Sequence, residues 1–194
     1  MMHDALLAAP PQGTPSTWQP AAQQQAFRAL LDAFAYPGRV VQLGTTHTLA
    51  LRLVLATLID AATTLADPCG LVDGDEHRRL GARTTAPEEA QFVVVPGTQP
   101  PAWSPRLGTL ENPEQGATVI VAVEALDAGA AWTLSGPGIN GQTQLLVSGM
   151  DPLWWSLRTG WNASFPMGVD LLLVSRQHVA ALPRTTRTHR QGEH

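Results

Sequence analysis

Two stretches of this chain, GATVIVAV (116–123) and VDLLLV (169–174), are almost unbroken runs of aliphatic and β-branched residues. A strand with one face in water alternates apolar and polar side chains, because successive side chains point to opposite faces of the sheet. These runs do not alternate, and they are too short for buried helices. They suit inner strands covered on both faces, as in a sheet with helices packed on its two sides. That requirement points to a layered α/β domain.

The remaining pattern fills in such a domain. Phe27, Leu30, Leu31 and Phe34 recur at helical spacing, predicting a helix from Pro20 to Ala35 that Pro37-Gly38 stops. RVVQL (39–43) reads as a short strand. Thr46 or Thr48 is placed to cap a second helix through LALRLVLATLIDAATTL (49–65), which is apolar on nearly every side and so predicted to lie buried against the sheet. Further strands are predicted at 70–72, 91–95, 131–134 and 144–147, with helices around 75–83 and 151–160. FPMG (165–168) is a turn launching the strand 169–174. A polar loop at 175–178 then leads to an edge strand over 179–182, which ends at Pro183. Asp170 is the odd polar residue: it either receives hydrogen bonds from a neighbouring turn or sits at the wet end of its strand.

The domain organisation follows: a Pro-rich extended arm over 1–19 that Trp18 pins to the body, a single α/β domain over 20–184 with a mixed β-sheet flanked by helices, and a polar, flexible tail over 185–194. The chain has 194 residues, 44% of them hydrophobic, which suffices for one domain with a sizeable core. A net charge of −4 gives no electrostatic mark of a nucleic-acid binder. No apolar run approaches the ~20 residues of a membrane span. The N-terminus lacks the basic region of a secretion signal, so a cytoplasmic location is expected.

Two gaps in the composition narrow the chemistry. All 12 basic residues are arginine; there is no lysine. That excludes a Schiff base to pyridoxal phosphate and a phosphate loop of the Walker type. The single cysteine, Cys69, excludes an internal disulfide, a cysteine-held iron–sulfur cluster and a multi-cysteine zinc site. It is read as a half-buried small apolar residue. The histidines show no metal-ligand spacing, and Asp75-Glu76-His77 reads as a helix cap. No metal and no cofactor are expected. Ser135 and Ser148 each lack the flanking pattern of a nucleophile elbow, so no catalytic residue is assigned.

SGPGIN (135–140) is read as a reversing turn rather than an anion site. Arg78, Arg79 and Arg83 form a basic helix face, read first as a solvated face or subunit contact and second as a phosphate site. Arg184, Thr185, Thr186 and Arg187 resemble an anion grip but lack a glycine turn feeding a helix N-terminus. Trp154, Trp155 and Trp161 crowd into WWSLRTGW (154–161). Adjacent tryptophans on a helix point about 100° apart, so one core face does not readily hold both. Core packing plus a subunit contact through Trp154 and Trp155 is expected, with aromatic ligand stacking as the second reading.

Five stretches in order, AFRALLDAFAYPG (26–38), NPEQGATVIVAVEAL (112–126), LSGPGI (134–139), FPMGVDLLLV (165–174) and ALPRTTR (181–187), give the chain a resemblance to the PhnH family of the bacterial carbon–phosphorus lyase system. It spans about 22–187, and departs where Phe34, Ser135 and Met167 replace the family's usual methionine, threonine and leucine. The resemblance implies a fold related to the large domain of pyridoxal-phosphate-dependent transferases, without the cofactor. It implies a homodimer in isolation and a core complex with PhnG, PhnI and PhnJ. It also implies a requirement, together with PhnG, PhnI and PhnL, for moving the ribose triphosphate of ATP onto a phosphonate, with adenine released. Cleavage of the carbon–phosphorus bond by radical iron–sulfur chemistry then falls to PhnJ. The expected role is a structural, non-catalytic subunit. The rival is a stand-alone nucleotide- or phosphonate-binding protein or enzyme using Arg78, Arg79, Arg83 or Arg184. A third reading is an adaptor for other partners.

Overall fold

The two unbroken apolar runs are neighbouring parallel strands at the centre of a seven-stranded sheet. The computed structural model describes residues 16–44 and 49–190. A 3-10 turn at Ser16–Trp18 leads into α1 (Pro20–Ala35), β1 (Val41–Gln42), α2 (Ala50–Leu58), β2 (Thr64–Ala66), α3 (Gly74–Leu80), β3 (Arg83–Thr84) and β4 (Phe92–Pro96). A second 3-10 turn, Pro113–Gln115, precedes β5 (Thr118–Ala122), β6 (Ala125–Ser135), β7 (Thr143–Ser148) and α4 (Leu153–Trp161). The chain continues through β8 (Asp170–Val174), β9 (His178–Leu182) and β10 (Arg187–Arg190). The large sheet has the order β1-β9-β8-β5-β4-β2-β3, parallel from β8 to β3 and antiparallel at β9 and β1. A three-stranded antiparallel sheet, β10-β6-β7, forms a separate layer.

Alternate residues of the inner strands enter two different cores. Val93, Val95, Val119, Val121, Leu171 and Leu173 face the small sheet and α4, meeting Trp132, Leu134, Leu145, Trp154 and Trp155. Val94, Ile120 and Leu172 face the other way, onto Leu30 and Ala33 of α1 and Val54 and Leu55 of α2. Each side chain of this size contributes about 1.5–3 kcal/mol when fully buried, which is why the polar residues of β5 and β8, Thr118 and Asp170, stand at the strand starts. Among the described residues no helix is long and apolar enough to cross a membrane.

Several expectations are corrected. The apolar stretch 49–65 is not one helix: α2 stops at Leu58, and Thr64–Ala66 is a strand inside the sheet. The break lies at Asp60, whose carboxylate accepts from the amide of Ala62, while Thr63 donates to the Asp60 carbonyl. These local bonds compete with the helix. Residues 70–72 are not a strand, because both oxygens of Asp67 are taken by the amides of Leu71 and Val72 in a turn. In α1 the buried stripe is Ala26, Leu30 and Ala33, and Phe27 and Leu31 are about half exposed. Ala26, Leu30 and Ala33 recur at i, i+4 and i+7, and the face they bury turns Phe27 and Leu31 toward solvent. β9 is not an edge strand, since β1 pairs with its outer side. The expected tail contains β10, which pairs with β6. Cys69 is exposed rather than half-buried. The cap of α3 is Asp73, which accepts from the amide of Glu76, not the acid–histidine cluster after it. Trp18 packs partly buried against the α1–α2 core; the rest of the arm through residue 15, the helix cap at Thr46 or Thr48, and residues 191–194 lie outside the described residues.

Candidate functional site

Asp170 opens β8 and resolves its own ambiguity: it is a hydrogen-bond hub. Its carboxylate accepts from the backbone amide of Arg184 at 2.7 Å, and from that residue's Nε and Nη2 at 3.4 and 2.9 Å. Arg184 Nη1 donates to the Pro113 carbonyl. Gly116 is what lets this guanidinium pass, since a Cβ there would lie 2.9 and 3.1 Å from its two terminal nitrogens. Asn162, the C-cap of α4, accepts from the Val169 amide at 2.7 Å through Oδ1. The same oxygen lies where a Cβ on Gly168 would be. The turn at 135–138 closes the group: Gly136 abuts the Thr185 carbonyl, and Gly138 abuts the end of α1 at Ala35 and Pro37. All five stretches that carry the family resemblance therefore touch one another in space.

Arg158 lies behind this junction. Its side chain follows Trp154 and Trp155 and precedes Trp161 on the inward stripe of α4, and the residue is only 2% exposed. Nη1 donates to the Thr186 carbonyl at 2.9 Å, and Nη2 to the Pro183 and Leu182 carbonyls at 2.6 and 3.3 Å. The guanidinium thus staples the 182–186 segment to the helix. Burial pushes its pKa down to about 10, against the pull of the nearby Asp170 charge. Arg158 has no ion-pair partner among the described residues. Three buried polar atoms here are without a hydrogen-bond partner among the described residues: Arg158 Nε, Asn162 Nδ2 and Thr186 Oγ1.

These residues wall a cleft of about 790 Å³ between the C-terminal half of α4, the turn at 135–137 and the segment 184–189. Its lining includes Arg158, Arg184, Arg187 and His189 and, among the described residues, no aspartate or glutamate. Phe165 stands at the rim, 68% exposed.

Of Arg78, Arg79, Arg83 and Arg184, only Arg184 belongs to this cleft, together with its neighbours Thr185, Thr186 and Arg187, and its charge is already engaged by Asp170 at 2.9 Å. Arg78, Arg79 and Arg83 lie apart from it, exposed on α3 and the edge strand β3; Arg78 pairs with Asp75. SGPGIN is a turn, as expected, yet Ser135, Gly136 and Pro137 form one wall of the cleft. Trp154 and Trp155 are both buried within the chain, so neither is an exposed anchor. The helix is covered on two sides: Trp155 stacks on Trp132 of β6 at 3.9 Å, while Trp154 meets Trp161 edge-on and donates Nε1 to the Gly97 carbonyl. Sequence reasoning missed Arg158 and Asn162. The available signal was the spacing of Arg158, four residues after Trp154 and three before Trp161, on the stripe that those tryptophans bury.

The chain matches the family model described as bacterial phosphonate metabolism protein (PhnH), over residues 15–189. It is 50% identical to the putative C-P lyase subunit protein HtxG of Stutzerimonas stutzeri over 194 residues, covering all of both chains. It is 32% identical to the alpha-D-ribose 1-methylphosphonate 5-triphosphate synthase subunit PhnH of Rhizobium meliloti (strain 1021) over 181 residues, 87% of this chain and 90% of that one.

Proposed function

The chain belongs to the PhnH family of bacterial phosphonate metabolism proteins, and from that premise we propose that it works as a subunit of a carbon–phosphorus lyase assembly. In this reading it acts with PhnG, PhnI and PhnL in transferring ribose triphosphate from ATP to a phosphonate. The product is alpha-D-ribose 1-methylphosphonate 5-triphosphate. PhnG, PhnI and PhnJ are its partners in a cytoplasmic core complex, and it pairs with itself when alone. The observation that carries the reading is the 50% identity to a C-P lyase subunit along the whole of both chains.

Its part in that reaction is structural or contributory. A chain without lysine and with one exposed cysteine offers neither a Schiff base nor the thiolates of a radical cluster. A relationship to the large domain of pyridoxal-phosphate-dependent transferases belongs to the same proposal, and the seven-stranded mixed sheet supports it.

Co-expression of the tagged chain with the partner subunits tests the reading. The subunits are expected to co-elute, and omission of this chain is expected to abolish product formation from ATP and methylphosphonate. Elution of the chain alone, or full turnover by the isolated chain, would overturn it.

A further inference from the structure

The cleft beside α4 is where charge and hydrogen bonding are left unbalanced. A guanidinium buried without a counter-charge loses its hydration and is stabilised by any anion that comes close. Arg158 is such a group in that it has no ion pair of its own among the described residues: its three carbonyl partners supply dipoles but no charge, and the nearby Asp170 carboxylate is already bonded to Arg184. Across the chain acids outnumber bases, 16 to 12, yet among the described residues no carboxylate belongs to the cleft lining.

The hydrogen-bond inventory points the same way. Among the described residues Arg158 Nε is a donor without a partner, and Asn162 Nδ2 and Thr186 Oγ1 are unpartnered and able to donate. Asn162 follows Arg158 by one helical turn, and Thr186 supplies the carbonyl that Arg158 holds. Unpartnered buried polar groups of this kind call for an explanation, and a ligand rich in acceptor oxygens is one. At the mouth, Arg187 and His189 are exposed and Thr188 half-exposed, so further donors are within reach of an entering group. The volume falls within the ~300–1,000 Å³ of small-molecule sites. The exposed Phe165 ring gives the rim an apolar contact for the rest of a ligand.

We propose that this cleft binds a small molecule bearing a phosphate or phosphonate group, held by Thr186, Asn162 and Arg187 over the buried charge of Arg158. Arg184 is the wall, not the grip, because Asp170 and Pro113 already occupy it. The three unpartnered atoms are shielded from solvent, so the entering group reaches them by turning the Asn162 and Thr186 side chains. The site stands on the cleft's own geometry and does not depend on the subunit reading.

Calorimetric titration of the full chain with methylphosphonate, inorganic phosphate, ATP and acetate tests it. Saturable binding of methylphosphonate or phosphate is expected, with acetate much weaker. Displacement of either by ATP would identify a nucleotide as the source of the phosphoryl group; its failure to compete would identify the small oxyanion. Arg187→Gln, at an exposed position, is expected to weaken binding by about tenfold or more with unchanged melting. Thr186→Val is expected to weaken it as well. Absence of saturation at millimolar ligand, equal binding of acetate, or full affinity in Arg187→Gln and Thr186→Val would overturn the proposal. Co-elution with the lyase subunits would be untouched by any of these outcomes, so the two readings fail separately.

Discussion

Arg78 on α3 meets Asp75 one turn earlier, and about three quarters of each side chain lies in water. Arg158 on α4 meets three backbone carbonyls, no carboxylate, and almost no water. Both are arginines on short helices at the flank of the same sheet. The first sits in a conspicuous basic cluster with Arg79 and Arg83; the second is alone among tryptophans. The difference is one of dielectric setting. A surface ion pair is screened and contributes about 0–1 kcal/mol, whereas a buried guanidinium organises whatever surrounds it, because its desolvation must be offset by nearby dipoles or charge. Clustering of charge in a sequence therefore marks solvation more readily than it marks a site.

The comparison breaks most violently if the apolar stripe around Arg158 is dismantled. Trp155→Ala removes the ring stacked on Trp132 and leaves a void between α4 and the small sheet. A loss of about 3–5 kcal/mol is expected, visible as a large fall in the denaturant midpoint. Were Trp155 a subunit anchor instead, assembly would weaken while the melting temperature held. Arg158→Met comes next. It frees the carbonyls of Leu182, Pro183 and Thr186, each costing about 1–3 kcal/mol if left dry, partly offset by no longer burying a charge. A net loss near 2–3 kcal/mol is expected, with faster hydrogen exchange at the amides of the 184–190 segment as its signature. Unchanged exchange there would show that Arg158 staples nothing.

The inner strands were legible because continuous apolar character has one common cause, burial on both faces, and Ile120 and Leu172 point opposite ways from Val119 and Leu171 as that cause requires. The end of α1 was legible from Pro37-Gly38. The stretch 49–65 was not, because its break comes from side-chain bonds of Asp60 and Thr63 within an unchanged apolar pattern. The candidate site was harder still. Arg184 stands out in ALPRTTR, but what surrounds it comes from residues 113, 116, 162 and 170, far apart along the chain. Arg158 drew no reading of its own, although its neighbours at 154, 155 and 161 placed it on the buried stripe. Long-range convergence has no period in a sequence.

A smaller effect sharpens the contrast on α3 itself. Glu76, two residues before Arg78, is buried, and Oε1 has no hydrogen-bond partner among the described residues. Burial raises its pKa, against the pull of Arg52 and Arg79. The folded state thus holds the proton more tightly than the unfolded chain does. The resulting stabilisation is complete below the unfolded value, near 4.5, and is lost as pH rises through the raised folded value. Glu76→Gln cannot ionise, so it is expected to melt higher than the parent at neutral pH and to lose less stability between acid and neutral pH. Parallel melting curves for the two proteins across that range would contradict the burial argument.

The smallest effect is assigned to the residue that looks most functional in the sequence. Arg78→Gln removes one charge from a solvated face; among the described residues Arg78 has one ion pair, with Asp75 three residues earlier on the same helix. Such pairs contribute about 0.3–0.5 kcal/mol in helices and fade with salt. The melting temperature is expected to move by a degree or so at low salt and not at all at high salt. If Arg78 held an anionic ligand, the same change would cut affinity for methylphosphonate or phosphate while leaving stability alone. Measuring both quantities on Arg78→Gln beside Arg187→Gln decides between the two basic regions. Affinity loss confined to Arg187→Gln places the ligand at α4, and loss confined to Arg78→Gln would return it to α3.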